Sequence, residues 1–322
     1  MIFGVDIGGT SIKIGLFSNN GELMQKWSIP TNIENAGEYV ISDAAKSIID
    51  KVKEENIGID GLYAIGVGVP CPVTKNGDIV SAANLGWNKE KNIIQELRTA
   101  LGKYGDTLIY AANDANVAVL SEAFIGAAKG RDNVVMITLG TGVGGGIISN
   151  GHLIYGAHGM GGEIGHLHIN DNETEKCGCG AKGCLEQISS ATGIVRLTKD
   201  LLKEYQEPTI LQPDNLTAKD VFDAFKKGDF IAKIAIDKFS MYLARALVNV
   251  SMLVDPDIFV IGGGVSAAGE ILIDSIQKYY KEFMSFSLCD NNEFVLAKLG
   301  NDAGIVGAAK LALDGAKKEG KL

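Results

Sequence analysis

Short apolar runs that end in glycine turns alternate with amphipathic stretches along the chain. Residues 2–7 form the first apolar run, and the alternation over 11–18 predicts a second strand, joined to the first by a tight turn. Further strands are predicted over 62–69, 107–112, 258–261 and 292–299, a strand–turn–strand unit over 134–149, and helices over 36–56, 92–101, 115–128, 269–283 and 302–313. Residues 191–255 have a mostly helical pattern, and the charged tail from residue 314 is expected to fray. The mixture predicts an α/β protein.

An internal duplication is visible in two of these units. The segment FGVDIGGTSIKIGLF, residues 3–17, has the same form as VMITLGTGVGGGIIS, residues 135–149. Successive N–H groups in each glycine turn can form an anion nest, and Asp6 before the first turn could hold Mg²⁺ through water. The candidate phosphate-binding residues are Gly8, Gly9, Thr10, Lys13, Gly140, Thr141 and Gly142. The first turn alone could also be an ordinary hairpin; neither a Walker loop nor a Rossmann fingerprint is present.

Two further sites lie where a predicted strand meets a helix. Asn113 and Asp114 follow one strand, where Asp114 can cap the helix, act as a catalytic base at the carboxyl end of a sheet, or do both. Gly262, Gly263 and Gly264 follow another strand, where a glycine run lets a flat ring or a ribose approach the backbone. A plain strand-to-helix turn is the alternative for this run.

Three cysteines near the middle of the chain form a metal-binding pattern. Cys177, Cys179 and Cys184 lie among glycines, about ten residues after His166 and His168. Three thiolates and one of these imidazoles would close a tetrahedral zinc site. Unrelated buried thiols are one alternative, and a disulfide, which would leave one thiol unpaired, is another. Cys71 is far away in sequence and is interpreted as a packed thiol.

Two acids flank this cysteine cluster. Glu163 precedes His166 by three residues, and Glu186 follows the last cysteine. A metal bound there would fix both acids, so the stretch is interpreted as one wall of a site for a polar ligand.

Composition narrows the class of protein. The formal net charge of −9 disfavours a nucleic-acid surface, and no apolar run is long enough for a membrane span. The N-terminus lacks a basic region and a cleavage site, so no signal peptide is expected. A cytoplasmic protein with reduced cysteines is predicted.

Taken together, these motifs resemble the ROK family of repressors and sugar kinases, within the actin-like ATPase superfamily. DIGGTSIKIGLF and LGTGVGGGII resemble its phosphate motifs, VIGGGV its adenosine motif, NDANVAVLSE its catalytic-aspartate segment, and GGEIGH with CGCGAKGCLE its sugar and zinc motifs. Within the family the chain is most similar to the bacterial glucokinases. The family writes Gly-Pro where this chain has Cys71–Pro72.

The resemblance implies a two-domain actin-like ATPase (ribonuclease H-like) fold with an interdomain cleft. The expected small domain is 1–112, with a C-terminal helix over 303–322 packing back on it, and the expected large domain is 113–302. ATP with Mg²⁺ is expected between the two glycine turns, with adenine near residues 262–264. A homodimer or homotetramer is expected as well.

The resemblance also implies the activity and its residues. The γ-phosphoryl group of ATP is expected to move to the 6-hydroxyl of glucose, with Asp114 accepting the hydroxyl proton. The expected hexose ligands are Asn113, Asp114, Glu163, His166 and Glu186. The expected zinc ligands are His166, Cys177, Cys179 and Cys184, with His168 outside the set.

Other functions remain open at this point. Kinases for fructose, allose, mannose or N-acetylmannosamine share the same acids, and the glycine turns cannot choose between hexoses. A sugar-sensing repressor would carry a DNA-binding segment, for which the few residues before the first turn leave no room. An actin-like filament protein has no need of the Glu163–His166 and cysteine pattern.

Overall fold

The computed structural model of the protein describes residues 1–286 and 292–322. The strands are β1 (Ile2–Ile7), β2 (Ser11–Phe17), β3 (Leu23–Pro30), β4 (Ala64–Val69), β5 (Asp78–Ile79), β6 (Lys91–Asn92), β7 (Leu108–Asn113), β8 (Val134–Leu139), β9 (Val143–Ser149), β10 (His152–Leu153), β11 (Ile258–Gly262) and β12 (Glu293–Leu296). The α-helices are α1 (Glu34–Gly37), α2 (Val40–Glu54), α3 (Ile93–Leu101), α4 (Asp114–Phe124), α5 (Glu186–Ser189), α6 (Ala191–Glu204), α7 (Ala218–Lys226), α8 (Phe230–Val254), α9 (Glu270–Phe283) and α10 (Ala303–Lys318). Across these residues, no helix is both long and apolar enough to cross a bilayer.

Two five-stranded sheets share one topology. The first has the order β3-β2-β1-β4-β7, and the second has the order β10-β9-β8-β11-β12. In each, a hairpin (β1–β2 or β8–β9) is antiparallel, and the two strands on its far side run parallel to the first hairpin strand. The duplication predicted from the two glycine turns is therefore confirmed, and so is the α/β fold class.

The chain divides into two compact units. The first comprises residues 1–130, 153–161 and 299–322, and the second comprises 131–152 and 162–298. The first unit thus continues past the boundary expected at residue 112. The reason is that α4, which follows β7 directly, packs against α10 and β4.

Helix α10 closes one face of the first sheet by very close approach to its strands. Residues at alternate positions of a strand share a face, so Ile2, Gly4 and Asp6 all point toward α10. An added Cβ at Gly4 would overlap the carbonyl oxygen of Ile305, so the helix backbone lies almost on the strand. The opposite face of the sheet carries Phe3 and the larger core with α2 and α3.

The start of the first predicted helix and the end of the last one are corrected by the structure. The helix expected from residue 36 begins at Val40, because Asn35 and Ala36 have left-handed φ angles of 50° and 60°. The tail from residue 314 does not fray at once, because α10 continues to Lys318 with Ala316 fully buried.

Replacing Gly307 with Ala should lower the free energy of unfolding by roughly 1–3 kcal/mol. The new methyl group would overlap the carbonyl oxygen of Val117 in α4, and backbone cannot yield as a side chain can. The better helix propensity of Ala recovers at most about 1 kcal/mol. Urea unfolding followed by circular dichroism measures the change. Gly58→Ala is the matched control, because open space surrounds its added methyl group; equal stabilities of the two variants would contradict the packing account.

Candidate functional site

The first glycine turn, between β1 and β2, is held from two sides. The N–H of Gly8 donates to the carbonyl of Ser11 at 3.0 Å, and the hydroxyl of Thr31 donates to the carbonyl of Gly8 at 2.6 Å. An added Cβ at Gly9 would lie 2.9 Å from the carbonyl oxygen of Asn84. The turn is therefore fixed before any ligand arrives, which is what a phosphate-binding nest needs.

Asp6 lies beside this turn in a tight setting. It pairs with Lys13 across the hairpin, with Nζ 3.9 Å from Oδ2, and Lys13 also donates to the carbonyl of Asn301 at 3.2 Å. Burial raises the pKa of the Asp6 carboxyl, and the charge of Lys13 opposes that shift. On the α10 side, an added Cβ at Gly304 would overlap the Asp6 carboxylate. The absence of a side chain at Gly304 thus makes room for Asp6.

Asn113 and Asp114 stand at the junction of β7 and α4. Asn113 is the helix cap, and its Oδ1 accepts the N–H of Ala115 at 2.8 Å. The capping position predicted for Asp114 is therefore one residue too late, although Asp114 Oδ1 also accepts that N–H, at 2.7 Å. Asp114 is exposed in the first helical turn. β1, β4 and β7 are parallel neighbours, so their carboxyl ends lie at the same edge of the sheet. Asp6 is near the end of β1 and Asp114 directly follows β7, so both residues lie at that edge.

The second glycine turn, between β8 and β9, rests on the start of α6. The carbonyl of Gly140 accepts the N–H of Ala191 at 2.8 Å, and the carbonyl of Thr141 accepts the hydroxyl of Thr192 at 2.7 Å. Open space surrounds the position of an added Cβ at Gly140. The turn is therefore anchored through its carbonyls and keeps an open side toward a ligand.

The glycine run after β11 packs against the end of β8, just before the second turn. Gly263 has a left-handed φ of 83°, and an added Cβ there would lie 2.5 Å from the carbonyl oxygen of Leu139. Both the backbone angle and the close approach require glycine. The run and the second turn are therefore neighbours.

A cavity of about 380 Å³ opens beside this run. Its walls include Gly264 and Val265 after β11, Thr217 and Phe222 of the α7 region, and Ala191 at the start of α6. The size and the mainly apolar lining, with a few polar groups, are typical of a small-molecule site. A purine nucleoside fits that description.

Glu163 and His166 are placed by a short turn packed on β9. Residues Ile164–His166 form one 3-10 turn, with Glu163 directly before it. An added Cβ at Gly165 would overlap the carbonyl oxygen of Val143, so this turn sits against the strand that leaves the second glycine turn. Glu163 Oε2 lies 3.9 Å from His166 Nε2.

The structure gathers the predicted metal ligands into one cluster. Ligand atoms of His166, Cys177, Cys179 and Cys184 all lie within 4.8 Å of one another. Cys177 Sγ is 3.6 Å from His166 Nδ1, and the sulfurs of Cys179 and Cys184 are also 3.6 Å apart. Zinc–sulfur bonds of about 2.3 Å in a tetrahedron place ligand atoms about 3.8 Å apart. The donor set and its spacing therefore fit zinc.

His168 lies outside this cluster. Its Nδ1 is 2.9 Å from the carbonyl oxygen of Lys182, and its Nε2 is 2.8 Å from Asp171 Oδ1. The hydrogen bond with Asp171 raises the pKa of His168. Both ring nitrogens are engaged, so the geometry favours His166 as the fourth ligand.

Glu186 links the cysteine cluster to the second glycine turn. The thiol of Cys177 donates to Glu186 Oε1 at 2.9 Å, and the N–H of Val143 donates to Oε2 at 3.4 Å. An added Cβ at Gly142 would lie 2.5 Å from the same Oε2. The acid therefore touches the metal ligands at one oxygen and the glycine turn at the other.

Burial raises the pKa of several side chains in this region. It raises the pKa of the Glu163 carboxyl, with His166 opposing the shift and Glu186 adding to it. Burial, together with the hydrogen bond to Glu186, also raises the pKa of Cys177, and burial raises that of Cys184. Since zinc binds thiolates, its binding must release protons from these cysteines.

The structure distributes the predicted residues over both units. The first unit holds Asp6, Gly8, Gly9, Thr10, Lys13, Asn113 and Asp114, and the second holds Gly140, Thr141, Gly142, Glu163, His166, Cys177, Cys179, Cys184, Glu186, Gly262, Gly263 and Gly264. Sequence reasoning missed the cavity walls contributed by Ala191, Thr217 and Phe222. The capping box of Thr217 and Asp220 indicates where α7 begins, but it does not indicate which segments α7 packs against.

Comparison with known proteins gives consistent results. The model of the ROK family matches residues 2–315. A glucokinase from Halalkalibacterium halodurans is 38% identical over 313 residues, which cover 96% of this chain and 93% of the relative.

Solved structures agree over nearly the full chain. The ROK hexokinase from Thermus thermophilus has a TM-score of 0.82 at 30% identity, covering 98% of this chain and 99% of the other. A ROK family glucokinase from Streptomyces griseus, solved with glucose and AMPPNP, has a TM-score of 0.73 at 30% identity, covering 97% of this chain and 99% of the other.

Proposed function

This chain belongs to the ROK family, and we propose that it is an ATP-dependent sugar kinase that phosphorylates the 6-hydroxyl of a hexose, glucose first. One observation carries the proposal. The second glycine turn contacts Glu186 through Gly142 and Val143, and it contacts Ala191, a wall of the nucleoside-sized cavity, through Gly140. Glu186, the second glycine turn and the cavity are thus connected in sequence. A kinase needs the same sequence of sites, for the sugar, the phosphoryl group and the nucleoside.

The glycine turns serve the phosphates in this proposal. Phosphoryl transfer passes through a loose transition state, so positioning and charge neutralisation supply most of the catalysis. The N–H groups of residues 9–10 and 141–142 hold phosphate oxygens, because those of Gly8 and Gly140 already donate to the carbonyls of Ser11 and Gly142. Asp6 would hold a Mg²⁺ ion through water, and the ion would neutralise charge on the phosphates. Lys13 beside Asp6 adds positive charge at the same turn.

The acids serve the sugar. Asp114 accepts the proton of the attacking hydroxyl, and its exposure leaves it accessible to a substrate. Because Oδ1 of Asn113 is used in the helix cap, its amide N–H₂ is the group that donates to a hydroxyl. Glu163 and Glu186 accept from ring hydroxyls. Both side chains are partly buried, so analogues that lack these hydroxyls leave the acceptors unpaired and bind poorly.

Zinc has a structural role in this proposal. The three thiolates and the imidazole of His166 would supply all four ligands of a structural zinc ion, which would leave no position for a substrate. The Nε2 side of His166 faces Glu163, so the metal orients that acid through the ring. Reduced thiols suit the cytoplasm, and a homodimer or homotetramer is the assembly that the family resemblance suggests.

A panel of sugars at fixed MgATP tests the function. ADP release is measured with glucose, fructose, allose, mannose and N-acetylmannosamine, and ³¹P NMR identifies the phosphorylated position. We expect glucose to give the highest kcat/KM, with a 6-phosphate product. If another hexose gave a higher kcat/KM, that hexose and not glucose would be the preferred substrate. If no sugar stimulated ADP release, the proposal of a sugar kinase would be refuted.

Metal analysis of the purified protein should find one zinc per chain. Stripping the metal with a chelator should weaken hexose binding before it weakens nucleotide binding, because Glu163 and Glu186 contact the ligand cluster whereas the cavity at Gly264 is lined by other segments. Calorimetric titration of each ligand measures the order. Cys184→Ser should reproduce the stripped protein, with Cys71→Ser as the control; loss of nucleotide binding first would contradict the model.

A further inference from the structure

The segment 173–187, which carries the three cysteine ligands and ends at the start of α5, is tied to α6 by Arg196. Its guanidinium donates to Glu173 and Glu175, which precede the first cysteine, and to the carbonyl of Gln187, which follows Glu186. We propose that Arg196 is a positioning residue for the sugar. By holding both ends of the segment 173–187, it sets where the Glu186 carboxylate stands. The inference rests on the proposed function only for the identity of the ligand.

Arg196 is itself 33% exposed, but it holds a buried carboxylate. Nη1 lies 3.0 Å from Glu173 Oε1 and 3.0 Å from Glu175 Oε2, Nη2 binds the second oxygen of Glu173, and Nη2 lies 3.0 Å from the carbonyl oxygen of Gln187. The side chain of Glu173 is only 7% exposed. A charged hydrogen bond that joins two groups in a fork is strong and directional. Removing Arg196 leaves a buried carboxylate without its cation, so the loop must move to expose it.

Gln187 extends the clamp to the metal ligands. Its Oε1 accepts the N–H of Cys184 at 3.1 Å, and its Nε2 donates to the carbonyl of Glu175 at 3.0 Å. Glu186 lies between Cys184 and Gln187 in the chain, so its direction depends on both neighbours. The metal fixes the middle of the loop, and Arg196 fixes the two ends.

Steady-state kinetics of Arg196→Gln test the positioning role. We expect the KM for hexose to rise about tenfold, the typical effect of losing a group that orients a metal site, while the KM for MgATP stays within twofold. Arg196→Lys keeps the positive charge but cannot form the two-pronged hydrogen bonds of a guanidinium. Its KM for hexose should therefore lie between those of Arg196→Gln and the wild type. The control is Arg131→Gln in the same unit, which breaks an exposed pair with Glu293 and should change neither KM.

Two readouts do not depend on catalysis. Zinc release to a chelator should be faster in Arg196→Gln than in Arg131→Gln, and hydrogen exchange should increase over residues 173–187. Unchanged release and exchange would overturn the clamp even if no hexose proved to be a substrate. Equal rises in both KM values would show a general loss of structure and would also overturn the proposal. Faster release with a selective rise in the hexose KM supports it.

Discussion

Asp114→Asn should lower kcat by about two to four orders of magnitude while hexose binding stays near normal. The amide keeps an oxygen that can accept the N–H of Ala115, as Asp114 Oδ1 does at 2.7 Å, so the start of α4 should survive. What is lost is the group that takes up the hydroxyl proton.

Binding and turnover must be measured separately for this variant. Calorimetry gives the hexose affinity, and a coupled ADP assay gives kcat. Asp43→Asn is the matched control, because Asp43 also stands in the first turn of a helix of the first unit and loses the same charge. Near wild-type turnover in Asp114→Asn would remove Asp114 from the role of base, and equal losses in both variants would point to helix stability instead.

Short sequence motifs were sufficient to predict local structure where residues of one chemical type recur at close spacing. The two glycine turns predicted the two hairpins, since a strand, a tight turn and a second strand lie within about fifteen residues. The set Cys177, Cys179 and Cys184 predicted the cluster, because three thiols among glycines leave few alternatives to a metal. The residue pattern alone left His166 and His168 as alternatives, and the family resemblance favoured His166. The contacts of His168 with Lys182 and Asp171 agree with that choice, because they show that its ring faces elsewhere.

Contacts between segments that lie far apart in the chain could not be predicted from the sequence. The wall that Phe222 gives to the cavity depends on how α7 packs beside the glycine run at Gly264, and nothing local to either segment encodes that packing. The same holds for Glu186, whose contact with Val143 joins two motifs that lie far apart in the chain. The extension of the first unit beyond residue 112 likewise follows from the packing of α4 on α10.

Gly304→Ala should lower kcat/KM for MgATP by about 100-fold, the cost of misplacing a functional group by roughly 1 Å. Strand alternation points Asp6 at α10, and a methyl group at position 304 would overlap its carboxylate. The carboxylate must then turn away from the first glycine turn, where we propose that it holds Mg²⁺ through water. The KM for hexose should change little, because Glu163 and Glu186 belong to the other unit and the start of α4 holds Asn113 and Asp114 through the N–H of Ala115. Raising the Mg²⁺ concentration should recover part of the loss.

Stability separates this effect from simple disruption of α10. Ala is favoured over Gly inside a helix by about 1 kcal/mol, so Gly304→Ala should lose activity with little loss of stability. Gly307→Ala on the same helix should do the opposite, because its new methyl group meets the backbone of α4 and not Asp6. Kinetics with varied Mg²⁺ and urea unfolding of both variants measure the contrast. If Gly304→Ala kept full kcat/KM for MgATP while remaining folded, Asp6 would have no part in holding the nucleotide or its metal.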